Sequence, residues 1–130
     1  MATDTLSAMK KTLMEKKVML SWLLAFYGDM LTENQREMAR LHWEEDFSLA
    51  EIASQFSVSR QSVHDTVNRT EKQLTALEEK LGLLGRFQKM EQGLRACQAE
   101  LSQVRATEES AGHLTEARRW IDELLNQEEA

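Results

Sequence analysis

An all-α fold follows from three features of the 130-residue sequence. Proline is absent and glycine occurs only five times, so the two strongest helix breakers are scarce. Leu, Glu, Ala, Gln, Lys and Arg, all good helix formers, fill most positions. Apolar residues recur at alternating spacings of three and four, which gathers them on one face of a helix. At 42% hydrophobic and 29% charged the composition is that of a globular chain with a modest core.

The first dozen residues are polar and are expected to fray. From about Lys16 to Leu31 the apolar face is wide, formed by Val18, Leu20, Leu23, Leu24, Tyr27, Met30 and Leu31. So wide a face predicts a helix packed on two sides. Lys10, Lys11, Lys16 and Lys17 precede the run VMLSWLLAFY, an arrangement that superficially looks like an export signal. No small-x-small cleavage site follows, and Gly28-Asp29 ends the run. A bilayer span needs roughly 20 apolar residues. The run is therefore expected to be a buried helix, with no membrane partner.

Thr32 opens the next element, with Gln35 three residues on in the pattern of a capping box. This helix is expected to bury Met38, Leu41 and Trp43. It should stop near Asp46-Phe47, because Glu44, Glu45 and Asp46 lie unfavourably at the negative end of a helix dipole. Ser48 and Glu51 repeat the capping pattern, followed by a short helix with Leu49, Ile52, Ala53 and Phe56 inward. Ser57-Val58 is the turn. Ser59 caps a longer helix with Val63, Val67, Thr70, Leu74, Leu77 and Leu81 facing the core.

Leu74, Leu77, Leu81 and Leu84 keep one heptad seam; Phe87, Met90, Leu94, Cys97, Leu101 and Val104 keep a second. The step from Leu84 to Phe87 is three where four is due, beside Gly82 and Gly85. A kink or break is predicted between residues 81 and 86, with Gly93 a lesser weak point. Thr107 to Gly112 reads as a connector. Leu114, Ala117, Ile121 and Leu124, with Trp120 beside them, give one last amphipathic helix. The expected organisation is a domain over residues 1–84 and a C-terminal helical extension over 85–130.

Ser48 to Val67 has the layout of a helix-turn-helix. Two helices that cross closely need a small side chain at the crossing, and Ala53 supplies it, with Ile52, Phe56, Val58 and Val63 as packing residues. Such a motif lays its second helix in the DNA major groove, N-terminal end towards the bases. The outward residues there are Ser59, Arg60, Gln61, Ser62, His64, Asp65, Asn68, Arg69 and Lys72. Arginine suits a two-pronged contact with guanine, and glutamine or asparagine one with adenine. Ser59, Ser62 and the free N–H groups of the first turn suit a phosphate, and Arg36 and Arg40 offer further backbone contacts. The net charge of −6 counts against tight general binding to nucleic acid, and Asp65 and the acids at 44–46 repel phosphate. Outward polar residues are also what any solvated helix displays.

Residues 31–74, LTENQREMARLHWEEDFSLAEIASQFSVSRQSVHDTVNRTEKQL, resemble region 4 of bacterial sigma factors in the leucine-threonine start, the SL-x-EIA helix and the VS-R turn. They resemble more closely the YlxM-like family of small bacterial helix-turn-helix proteins. That resemblance is carried by Leu31-Thr32, Gln35-Arg36, Asp46-Phe47-Ser48-Leu49, Glu51-Ile52-Ala53, Val58-Ser59-Arg60-Gln61, Val63, Asp65 and Arg69-Thr70-Glu71, and covers roughly residues 10 to 84. The tail beyond about residue 85 lies outside it. The resemblance implies a sigma region 4-like fold and a cytoplasmic regulator or accessory protein of the signal recognition particle pathway. The family's reading residues fall on Arg60, Gln61, Asp65 and Arg69. His64 stands where the pattern has an aromatic residue, and Ser62 where it has alanine.

Three partner classes compete. The recognition helix predicts nucleic acid, either DNA or signal recognition particle RNA. The two seams of residues 74–104 predict a homodimer or a partner helix, unless they fold back to complete the monomer's core. The acidic surface suits a basic partner, such as the protein of the particle, in an adaptor role without nucleic acid. An enzyme is disfavoured, and no small-molecule substrate, cofactor or metal is expected. His42, His64 and His113 lack ligand spacing with Cys97 or with paired carboxylates, and no glycine-rich phosphate loop is present. Cys97, the one cysteine, allows no intrachain disulfide, which fits a reducing cytosol, and is expected to be a small core residue.

Overall fold

The computed structural model describes the backbone of residues 2–126 and the side chains of residues 15–126. Six α-helices follow one another: α1 (Ala2–Tyr27), α2 (Glu33–Trp43), α3 (Leu49–Phe56), α4 (Arg60–Leu81), α5 (Leu83–Ser102) and α6 (Ala111–Asn126), with a 3-10 turn at Gly28–Met30 between the first two. No strand occurs among the described residues. The chain separates into two compact units, Met1–Leu84 and Gly85–Ala130.

In the first unit α4 is the central element, packed against α1, α2 and α3. Helix α1 begins at Ala2, with no glycine or proline in its first turns. Leu20, Leu23, Leu24, Tyr27 and Leu31 enter the core with Met38, Ala39, Leu41 and Trp43 of α2, Ile52 and Ala53 of α3, and Val63, Val67 and Leu74 of α4. The two-sided packing expected of α1 is corrected at Val18 and Met30, which are 57% and 58% exposed. Val18 lies on the face of α1 opposite the buried Leu20, Leu23, Leu24 and Tyr27, and Met30 falls in the 3-10 turn after the helix. Leu81 is likewise exposed, although Leu84 beyond it is buried in the same core.

Each expected cap forms. Thr32 accepts from Gln35 N–H at 3.2 Å while its own N–H donates to the Gln35 side chain. Ser48 and Glu51 repeat the reciprocal pair. Helix α2 ends at Trp43, and the chain turns through Asp46 with φ 56°. The three acids in this connection are held: Glu44 accepts from Ser21 Oγ at 2.8 Å, Glu45 pairs with Arg40 at 3.3 Å and Asp46 with Lys17 at 2.8 Å.

The predicted break falls at Gly82, whose φ of 63° ends α4 in the left-handed conformation that glycine adopts without strain. A buried side-chain cluster secures this corner. Tyr27, 1% exposed, donates its hydroxyl to Glu78 at 2.7 Å and accepts from the Leu83 N–H at 3.2 Å. Glu78 also accepts from the Leu84 N–H at 3.0 Å. Two orphan amides at the start of α5 thereby gain acceptors. Burial, followed by the hydrogen bond to Glu78, raises the Tyr27 pKa above its ordinary value of 10.0.

In the second unit the remainder of α5 and α6 run antiparallel, joined through residues 103–110. Gln98 donates to Asp122 at 3.0 Å, and Arg118 to the Leu101 carbonyl at 3.2 Å. Thr107 and Ser110 cap one another through side chains and amides, and the last helix starts at Ala111. Ala111 and Gly112 therefore belong to it rather than to the connector. Ile121 is buried, whereas Trp120 and Leu124 are exposed. Gly93 lies inside α5 without breaking it. Cys97 is exposed rather than a core residue, as are Met90 and Val104 of the same seam.

Candidate nucleic-acid interface

Three local choices aim α4. Ile52 is fully buried and Ala53 is 6% exposed, so α3 meets α4 through a side chain no larger than a methyl group. At the end of α3, Ser57 takes a left-handed φ of 55°. Its N–H donates to Ser54 O at 3.4 Å, and the Val58 N–H to Ala53 O at 3.0 Å. This is the Schellman pattern of a helix that stops and turns sharply. Ser59 then accepts the Ser62 N–H at 3.0 Å and starts α4. The packing role expected of Val58 is corrected: it is 41% exposed. The backbone bonds of the turn fix the crossing, and Val63, fully buried, anchors α4 directly beyond it.

Because Val63, Val67, Thr70 and Leu74 take the inner face of α4, the opposite face is set by helical period. Ser59, Arg60, Gln61, Ser62, His64, Asn68, Arg69 and Lys72 are all exposed. The first-turn anion site is narrower than the sequence predicts, since the Ser62 N–H and the Ser59 hydroxyl are occupied with each other. The amides of Arg60 and Gln61 remain as the orphan donors of that turn.

The charges of the first unit divide sharply. Lys16 pairs with Glu71 and Lys17 with Asp46, each at 2.8 Å; Arg36 pairs with Asp29 at 3.0 Å. Arg40 grips Glu37 through two nitrogens, at 3.2 and 2.6 Å, and this hydrogen bonding holds the Glu37 carboxyl below its usual range. The backbone-contact role expected of Arg36 and Arg40 thus falls on side chains already committed to acids. Arg60, Arg69, Lys72 and Lys80, all on α4, make no ion pair among the described residues.

Asp65, expected to repel phosphate and, by the resemblance, to fall among the reading residues, also contacts side chains of its own helix. It accepts from Gln61 Nε2 at 3.0 Å, and His64 Nδ1 lies 3.5 Å from the same oxygen. The i, i+4 spacing of Gln61 and Asp65 was the available signal for the first of these contacts. Among the described residues no group of three His, Cys, Asp or Glu comes together to hold a metal ion, and no helix is long and apolar enough to cross a membrane.

A family model described as "Putative helix-turn-helix protein, YlxM / p13 like" matches residues 14–114. The chain belongs to this family, UPF0122. A UPF0122 protein of Halalkalibacterium halodurans is 40% identical over 97 residues, covering 75% of this chain and 89% of its own length. One of Bacillus cereus strain AH187 is 38% identical over 113 residues, 87% of this chain and 96% of its own. One of Desulforamulus reducens is 53% identical over 62 residues, 48% of this chain and 53% of its own. No solved structure matches. The match extends well past residue 85, where the sequence reading ended the resemblance. In UPF0122, then, α5 and the start of α6 are family structure rather than an added tail.

Proposed function

We propose that the protein is a DNA-binding helix-turn-helix regulator whose reading head is the N-terminal half of α4. One observation carries this: the cations of the first unit that are free of ion pairs among the described residues all lie on α4, with Arg60, Arg69 and Lys72 on its exposed N-terminal part, while Lys16, Lys17, Arg36 and Arg40 are neutralised by acids. A chain of net charge −6 thereby keeps its local positive potential on the motif suited to groove binding. The wide major groove of B-DNA admits a regular helix, whereas that of an RNA duplex is too deep and narrow. Resemblance to YlxM-like proteins supports the finer proposal that this binding serves the signal recognition particle pathway. The adaptor alternative offers Glu44, Glu45 and Asp46 to a basic partner, and Ser21, Arg40 and Lys17 already engage these acids. We further propose a homodimer, since the second unit leaves Met90, Val104, Trp120 and Leu124 exposed and two helices alone make a small core.

The test is fluorescence anisotropy of the full chain with labelled DNA and RNA duplexes across a salt series. Binding to DNA should weaken steeply with salt, with a log–log slope of about −0.9 per phosphate neutralised. Arg60→Ala should cost about 1–3 kcal/mol as a base contact. Arg69→Ala should flatten the slope by about one phosphate. Salt-independent binding, or binding confined to RNA, would overturn the reading.

A further inference from the structure

We propose that Asp65 is a positioning residue that turns Gln61 into a reader of adenine; this deepens the DNA-binding reading and rests on it. Asp65 is the one acid between Arg60 and Thr70, and it stands on the exposed face that would enter the groove. An acid there is unfavourable towards phosphate, so a general-purpose binding helix gains nothing from it. What it does in this structure is specific: Oδ1 accepts one Nε2 hydrogen of Gln61 at 3.0 Å.

An ionised carboxylate only accepts hydrogen bonds. The Gln61 amide must therefore present its NH₂ to Asp65, and cannot present its carbonyl oxygen there. That fixes which way round the amide sits and leaves one N–H and the oxygen Oε1 for an incoming base. One donor beside one acceptor is the complement of adenine, which offers N7 as acceptor and N6–H₂ as donor in the major groove. Guanine offers two acceptors, N7 and O6, and would set O6 against Oε1. Without the carboxylate the amide rotates freely, and the choice between the two purines relaxes. His64 Nδ1 lies 3.5 Å from the same Asp65 oxygen.

The experiment selects duplexes from a randomised DNA library with the full chain and sequences the bound fraction. It compares wild type, Gln61→Ala and Asp65→Asn. Asparagine keeps the shape of aspartate but can donate or accept, so it no longer dictates the amide's orientation. Wild type should enrich adenine over guanine at one position, and Gln61→Ala should lose that enrichment. Asp65→Asn should keep its helix content and melting temperature, and bind random duplex at least as tightly, having lost one negative charge. Its adenine-over-guanine preference at that position should nevertheless fall by about five-fold or more, as expected when a two-pronged base contact is loosened. A purely structural Asp65 would not move base preference separately from affinity. If Asp65→Asn retains the preference, or wild type shows none that depends on Gln61, this inference fails while salt-dependent binding still supports the reading head. If wild type binds no duplex at all, both fail together.

Discussion

Tyr27 illustrates how much one side chain carries. Its ring is buried in the core while its hydroxyl serves Glu78 and the Leu83 N–H at once. Tyr27→Phe keeps the ring and removes the hydroxyl, leaving buried polar groups short of a partner, which costs about 1–3 kcal/mol. Urea denaturation at neutral pH should show this as a lower midpoint. The pH dependence has a definite sign. The Tyr27 pKa is raised by burial above 10.0, so the unfolded chain releases this proton first as pH rises. The stabilisation is complete below pH 10.0 and is lost as pH climbs through the folded value. Wild type should therefore lose more stability in the alkaline range than Tyr27→Phe. An equal loss in both would remove Tyr27 as the cause.

At the scale of elements, helix ends were written locally and helix neighbours were not. Thr32, Ser48 and Ser59 announced three starts because a cap needs only a side chain and an amide a few residues away. Ala53 announced the crossing, and Gly82 the break. By contrast, apolar spacing told that α1 has a wide face but not that Val18 and Met30 would lack cover. It put Cys97 on a seam, and the structure leaves that thiol in solvent. Contacts between distant residues, Lys17 with Asp46 and Tyr27 with Glu78, leave no local trace. The proposed reading face was legible as a set of outward residues; the i, i+3 spacing of Glu37 and Arg40 signalled their pairing, whereas that of Arg36 with Asp29 across the turn had no such signal. Ser57 offers a test of the turn itself. It holds φ 55° without being glycine, a conformation disfavoured for L-residues by roughly 1–2 kcal/mol. Ser57→Gly should remove that strain, offset in part by greater freedom of the unfolded chain, for a net gain of about 0.5–1 kcal/mol. Thermal unfolding would show it as a raised midpoint, and a lowered midpoint would mean the serine is held by something other than the turn.

For the whole molecule, the question is how an acidic chain presents a basic edge. The answer is pairing: Asp29, Glu37, Glu45, Asp46 and Glu71 engage the described lysines and arginines of α1 and α2, while Arg60, Arg69, Lys72 and Lys80 of α4 make no ion pair among the described residues. The proposed homodimer belongs to this scale as well. A two-fold assembly would duplicate the reading head, as expected for DNA half-sites one helical turn apart. Sedimentation equilibrium at micromolar concentration should give twice the 15.0 kDa chain mass; a single species of monomer mass would exclude it.

The corner held by Tyr27 and Glu78 has one more consequence. A reversal next to a glycine would ordinarily open on its own, long before the protein unfolds. Here the first amides of α5 are fastened to residues from α1 and α4, 56 and 6 positions back in sequence. Loosening that bend and releasing the leading helix become a single cooperative event, so this surface corner inherits the persistence of the interior.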